Sequence, residues 1–203
     1  GMTHWQHPKF FAYFPANSSY PSVLAEMLTA ALAAQGMIWQ TSPSATELEE
    51  RVMEWLRDLI GLPKQFEGVI QDTASTSTLV ALLTAREVKT GFRSNEEGLA
   101  GRPAMTVYAS EQTHSSIEKD VKIAGFGREN YRPLPVDENY AMKPEELEAA
   151  IVRDREAGLT PCCVVATIGT TGSTAIDPLK EIVEIAKRHG LWVHVDAALA
   201  GSA

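Results

Sequence analysis

Four short stretches of this 203-residue sequence place hydroxyl, imidazole or carboxylate groups where an apolar run gives way to a new local pattern. In Asp72-Thr73-Ala74-Ser75-Thr76-Ser77-Thr78, small residues open a helical pattern. The unpaired N–H groups of a helix start attract anions, and small side chains let a phosphate reach the backbone. The same residues also serve as a plain Ser/Thr helix cap. Glu111-Gln112-Thr113-His114-Ser115-Ser116 offers an imidazole that either caps the next helix or lies flat against a ring. Thr167-Ile168-Gly169-Thr170-Thr171-Gly172-Ser173 reads as a tight turn or as a second place of close approach. In His194-Val195-Asp196-Ala197-Ala198 a carboxylate ends a strongly apolar run, where desolvation is costly unless the charge meets a partner.

The elements needed to position these groups can be read from periodicity. Ser18, Ser19 and Pro21 precede an apolar stretch from Val23 to Ala34, with Gly36 beyond, and this predicts a first helix. Leu48, Val52, Trp55, Leu56 and Leu59 predict a second from Ser44 to Ile60, stopped at Gly61. Both should bury an apolar face. After them strands are expected at 68–71, 105–109, 131–135, 162–168 and 191–196, with helices at 73–89, 115–124, 144–157 and 178–189. The Gly-, Glu- and Asn-rich stretch 93–103 reads as a flexible surface loop. Strand and helix in alternation predict an α/β fold with a mainly parallel, doubly wound sheet flanked by helices. In such sheets ligands sit beyond the carboxyl ends of the strands, where the four stretches fall. The expected organisation is an N-terminal helical segment, 1–65, followed by a ligand-binding α/β domain, 66–203.

Composition narrows the partners. A formal charge of -8, with no basic run to neutralise a phosphate backbone, argues against nucleic acid. The only cysteines, Cys162 and Cys163, are adjacent in an apolar run, which fits buried thiols in a reducing, cytoplasmic setting. No apolar segment approaches the roughly 20 residues of a membrane-spanning helix, so no membrane association is expected, and no metal is expected either. Gly1 ahead of Met2 reads as a tag scar. The aromatic-dense start and the close on an apolar strand and small residues predict a chain truncated at both ends.

An anion turn, a flat ring and a buried carboxylate together match pyridoxal 5'-phosphate, which needs a phosphate site, a group against its ring, and an acid beside its pyridine nitrogen. Here the sequence resembles the group II pyridoxal-phosphate-dependent amino-acid decarboxylases, such as aromatic-L-amino-acid decarboxylase. The resemblance spans essentially the whole chain. It rests on Phe10-Phe11-Ala12-Tyr13-Phe14-Pro15, Ser42-Pro43-Ser44-Ala45-Thr46-Glu47-Leu48-Glu49, Ala74-Ser75, Thr113-His114-Ser115-Ser116, Ala166-Thr167-Ile168-Gly169-Thr170-Thr171-Gly172, and His194-Val195-Asp196-Ala197-Ala198 followed by Ala200-Gly201-Ser202-Ala203.

The resemblance implies an aspartate-aminotransferase-like (PLP fold type I) large domain, here incomplete. It implies Thr73, Ala74 and Ser75 at the phosphate, His114 stacked on the pyridine ring, Asp196 on the ring nitrogen, Ala198 beneath the ring and Thr171 close by. His114 and Asp196 would carry the catalytic roles. Trp5, Tyr13, Phe14 and Pro15 would line the substrate pocket, in a homodimer whose partner lends residues near Gln35 and Met37. The implied reaction is decarboxylation of an L-amino acid, leaning towards aromatic ones, to the amine and carbon dioxide.

The sequence departs from the family at Asp72-Thr73, Thr76-Ser77, Ala16 and Leu199. None of Lys9, Lys64, Lys89, Lys119, Lys122, Lys143, Lys180 or Lys187 stands in the Asn-Pro-His-Lys-like context of the family's Schiff-base lysine, so this chain alone is expected to be inactive. The alternatives are another enzyme of the same fold (a glutamate decarboxylase, an aldolase or a desulfurase) and a non-catalytic homologue acting as a binding or structural subunit. Tyr13-Phe14-Pro15 speaks against the first.

Overall fold

The computed structural model describes residues 1–13 and 18–202, in two compact units, Gly1–Ile70 and Gln71–Ala203. The division thus falls after Ile70, five residues beyond the expected 65.

The described residues of the first unit hold two helices. Helix α1 spans Tyr20–Leu32. It opens on a reciprocal cap in which the Ser22 N–H donates to Ser19 Oγ and the Ser19 N–H donates to Ser22 Oγ (3.0 Å), with Pro21 in the first turn. This cap starts the helix three residues before the expected Val23. Ala33, at φ +49°, takes the left-handed position that ends it, short of Gly36. Helix α2 runs Pro43–Leu59, with Gly61 at φ +72° just past its end. No residue of either helix is buried, and Leu24, Met27, Leu28, Leu48, Trp55 and Leu59 stand exposed, so the expected apolar packing is not seen among the described residues. The strand expected at 68–71 does not form. Val69 and Ile70 are exposed, and the Ile70 N–H donates to the Glu49 carboxylate (2.7 Å) instead of to a neighbouring strand.

The second unit is a four-stranded, all-parallel sheet. Its strands are β1 (Met105–Ser110), β2 (Tyr131–Leu134), β3 (Thr160–Thr167) and β4 (Trp192–Asp196), in the order β2-β1-β3-β4. The connecting helices are α3 (Ala74–Lys89), α4 (Ser94–Glu97), α5 (Ser116–Ile123), α6 (Pro144–Glu156) and α7 (Leu179–His189). Side-chain alternation along β1 and β3 divides the core in two. Val107, Ala109, Cys163 and Val165 pack with Leu82, Ala85, Ile117 and Val121 of α3 and α5. Tyr108, Val164 and Ala166 pack with Leu147, Ile151, Ile182 and Ala186 of α6 and α7. Both faces are covered, which is why these strands read as continuous apolar runs. One polar cluster lies in the second layer: Tyr108 Oη donates to Asp154 (2.7 Å), whose carboxylate is also held by Arg132 (2.9 Å).

The stretch 93–103 is not the expected free loop. It contains α4, and Glu97 is ion-paired with both Arg93 and Arg102. Among the described residues no helix is long and apolar enough to cross a membrane.

Candidate cofactor site

Because all four strands run parallel, their carboxyl ends share one edge of the sheet. The loops after β1, β3 and β4 meet there through specific bonds. Thr113 Oγ1, in the loop after β1, lies 3.1 Å from Thr167 Oγ1 at the end of β3. The Ile168 N–H, just past β3, donates to the Asp196 carbonyl at the end of β4 (2.8 Å).

The turn into α3 is both a cap and a set of open donors. Thr73 Oγ1 accepts from the Thr76 N–H (3.2 Å), and the Thr73 carbonyl accepts from the Ser77 N–H (3.1 Å). The Ala74 and Ser75 N–H groups have no acceptor among the described residues, as expected of a helix's first turn. Capping uses the acceptor side of Thr73's hydroxyl, which also lies 3.3 Å from Thr76 Oγ1 in a hydroxyl pair that either side can donate.

His114 is held in one orientation. Its Nδ1 accepts from the Ser116 N–H (3.2 Å) and lies 2.8 Å from Ser116 Oγ. An Nδ1 that accepts leaves the neutral ring's proton on Nε2. The ring is exposed and borders a depression of about 470 Å³ lined by Glu111, Ser115, Arg128, Tyr131 and Pro133. The helix-capping role and an available ring face coexist here.

The turn after β3 is built by Thr170, not Thr171. Gly169, at φ +84°, and Thr170 both donate through their N–H groups to the Ala175 carbonyl, and Thr170 Oγ1 accepts from the Ala175 N–H (3.0 Å). Thr171 is half-buried, and its hydroxyl has no partner among the described residues. Sequence reading passed over Asp177, which holds this turn. It is 1% exposed; its Oδ2 accepts from the Thr167 N–H (2.8 Å) and its Oδ1 from the Met142 N–H (2.7 Å). Burial pushes its carboxyl above the usual range, and the two N–H bonds oppose that shift. The available signal was an acid between Ile176 and Pro178, which reads equally well as a helix entry.

Asp196 is half-buried, with Oδ1 accepting from the Ala198 N–H (3.2 Å); Ala198 itself is exposed. His194, two residues back and so on the same face of β4, has Nε2 3.2 Å from Thr78 Oγ1 of α3. Neither Thr78 nor His194 was singled out as a site residue from sequence. Their signal is the strand's period of two, counted back from Asp196.

In the first unit Trp5 stacks on Tyr13 (ring centroids 5.7 Å apart) and meets Phe10 (5.2 Å). Phe14 and Pro15 lie outside the described residues.

The second unit therefore gathers unpaired N–H donors at Ala74 and Ser75, an oriented imidazole at His114 and a carboxylate at Asp196 around one sheet edge. This donor set fits a phosphorylated pyridine: an anion site, a ring face and an acid for a ring nitrogen.

Comparison with known proteins agrees. The chain is 49% identical to phenylacetaldehyde synthase of Arabidopsis thaliana, over 100% of this chain and 42% of that protein. It is 48% identical to tryptophan decarboxylase 2 of Oryza sativa subsp. japonica, over 100% and 42% of the two chains. Among solved structures, Oryza sativa TDC with PLP and tryptamine superposes with a TM-score of 0.92 at 40% identity, over 99% of this chain and 43% of that one. Catharanthus roseus tryptophan decarboxylase in complex with L-tryptophan superposes at 0.91 and 41% identity, over 99% and 44%. The chain thus spans about two-fifths of the length of these relatives. The pyridoxal-dependent decarboxylase conserved domain matches residues 1–203, and the chain belongs to that family.

Proposed function

We propose that this chain forms the cofactor-holding part of a pyridoxal-phosphate-dependent decarboxylase that acts on an aromatic L-amino acid. The observation that carries the reading is the gathering of Ala74, Ser75, His114 and Asp196 at the carboxyl edge of one parallel sheet, in a chain whose similar relatives include tryptophan and tyrosine decarboxylases. When bound, pyridoxal phosphate supplies an electron sink for the pair released as carbon dioxide leaves. The Ala74 and Ser75 N–H groups, with the Thr73 hydroxyl, hold the phosphate at the positive end of α3. The Asp196 carboxylate holds a proton on the ring nitrogen, which keeps the sink effective. His114, fixed by Ser116, would offer its face to the ring, and the family resemblance assigns Thr171 and Ala198 to the same cofactor. The assignment of Trp5, Tyr13, Phe14 and Pro15 to the substrate side rests on the family resemblance alone.

Lysine-linked cofactor is not expected on the 203-residue chain, since none of its lysines stands in the family's Asn-Pro-His-Lys-like context. Homodimerisation is part of the same reading. The exposed Leu24, Met27, Leu28 and Leu32 of α1 are an apolar stripe that a second copy would cover. A reducing, cytoplasmic setting suits two buried, unpaired thiols.

The test uses the product of the full coding sequence. It is expected to hold borohydride-reducible pyridoxal, to sediment as a dimer and to release carbon dioxide from tryptophan, tyrosine or phenylalanine. The organic product, amine or aldehyde, separates a simple decarboxylase from an activity like that of the phenylacetaldehyde synthases. Bound cofactor without carbon dioxide release would reject the decarboxylase reading in favour of another enzyme of this fold. Absence of any adduct would favour the non-catalytic homologue.

A further inference from the structure

Three threonines of α3 and its C-cap use their hydroxyls differently. Thr84 Oγ1 donates to the Val80 carbonyl (2.8 Å) and Thr90 Oγ1 to the Arg86 carbonyl (3.0 Å), the ordinary bond to the residue four back. Thr78, 2% exposed, instead directs its hydroxyl out of the helix to His194 Nε2 on β4, 3.2 Å away. Apolar side chains otherwise dominate the layer between α3 and the sheet. The Thr78–His194 bond adds a directional constraint to that packing.

The two partners sit close to the two ends of the site. Thr78 lies five residues along α3 from Thr73, about 7.5 Å at 1.5 Å per residue. His194 lies two residues before Asp196 on the same face of β4, about 6.5 Å away. We propose that Thr78 is a positioning residue which, through His194, sets the separation between the anion-binding start of α3 and the carboxylate of Asp196. The inference rests on the cofactor site described above and adds to it a residue that touches no ligand. Burial holds the His194 imidazole below its usual pKa, with the Asp196 charge only partly opposing this, so the ring at neutral pH is uncharged and has one donor and one acceptor nitrogen. Either tautomer can bond a hydroxyl, which both donates and accepts.

A ligand that engages both ends at once is sensitive to their separation, and a ligand that engages one end is not. Binding at the first end presents the second at high effective concentration only when the spacing matches. Pyridoxine 5'-phosphate is the probe for both ends, because it carries the phosphate and the ring nitrogen but has no aldehyde to react with lysines. Inorganic phosphate probes one end and pyridoxine the other.

The experiment measures the affinity of all three for the full chain and for its Thr78→Val and Thr78→Ser variants by titration calorimetry, with circular dichroism to check folding. Loss of the buried bond is expected to weaken pyridoxine 5'-phosphate about tenfold in Thr78→Val, the equivalent of about 1.4 kcal/mol. Phosphate and pyridoxine should change by less than about twofold, and Thr78→Ser should restore tight binding. Unchanged pyridoxine 5'-phosphate affinity in Thr78→Val, or parallel weakening of all three ligands, would overturn the positioning role while leaving the site in place. Failure of the unaltered chain to bind pyridoxine 5'-phosphate would overturn the site reading and the positioning role together.

Discussion

Thr113 Oγ1 and Thr167 Oγ1 stand 3.1 Å apart, and this single side-chain pair joins the loop that carries His114 to the end of the central strand β3. The Thr167 N–H in turn donates to the buried Asp177 carboxylate (2.8 Å). The position of His114 is thereby tied to an acid 63 residues away in sequence, which a second bond ties to Met142 ahead of α6.

Asp177→Asn should be costly even though the shape is kept. Both carboxylate oxygens accept from backbone N–H groups, and the amide would turn a donor towards one of them. One buried bond is then lost and one donor left unpaired, a destabilisation of about 1–3 kcal/mol. Urea unfolding followed by tryptophan fluorescence measures it; an unchanged midpoint would show that another acceptor takes over.

Acidification should weaken the fold through His194. Its folded-state pKa lies below the ordinary 6.5, chiefly because the ring is desolvated. A base with a depressed folded pKa adds stability above its unfolded pKa and loses it as pH falls through the folded value. The window therefore opens near pH 6.5 and extends downward. Asp120 and Asp177, whose carboxyls burial pushes up from 3.8, act with the opposite sign, in a window that extends upward from that value. Urea midpoints at pH 7.5 and 5.5 should diverge for the unaltered chain and converge in His194→Gln; equal divergence in both would assign the effect to another group.

Two glycines of the turn after β3 should respond in opposite ways to alanine. Gly169 has φ +84°, and an added Cβ would lie 2.9 Å from the Ala200 Cβ, in the segment just past Asp196. Gly169→Ala should cost about 1–2 kcal/mol or more, since a left-handed conformation is imposed on a residue with a side chain. Gly172 has open space and no positive φ, so Gly172→Ala should leave the unfolding midpoint in place or raise it slightly. Equal losses at both positions would show that the close approach of Gly169 to Ala200 is not what constrains the turn.

The paired thiols should be silent in the native chain. Cys162 is 1% exposed, and burial pushes its thiol up to about 12; Cys163 is fully buried and is pushed well above its ordinary value. The thiolate is the reactive form. A disulfide reagent at pH 8 should leave both untouched over minutes and modify both in urea. Rapid reaction of one equivalent in buffer would place a cysteine at the surface.

The sequence by itself determined the elements and the chemical inventory. Apolar periodicity located four of the five expected strands and all the expected helices to within a few residues; in the second unit these patterns record which face of each element is buried, while α1 and α2 carry the same periodicity with no buried residue. It also marked the helix start at Thr73, the imidazole of His114 and the acid of Asp196, each a local change from apolar to functional residues. The fifth strand, at 68–71, misled because Val69 and Ile70 have the right composition, but a strand exists only when another strand takes its hydrogen bonds, and here Glu49 takes one of them. The loop at 93–103 misled in the reverse sense: Glu97 meets Arg93 and Arg102 only once the chain turns there. Only the tertiary structure decided the bonds that assemble the site, between Thr78 and His194, between Thr113 and Thr167, and from Asp177 to Met142 and Thr167. Their partners lie between 10 and 116 residues apart, and no local pattern encodes a hydrogen bond whose second half stands that far along the chain.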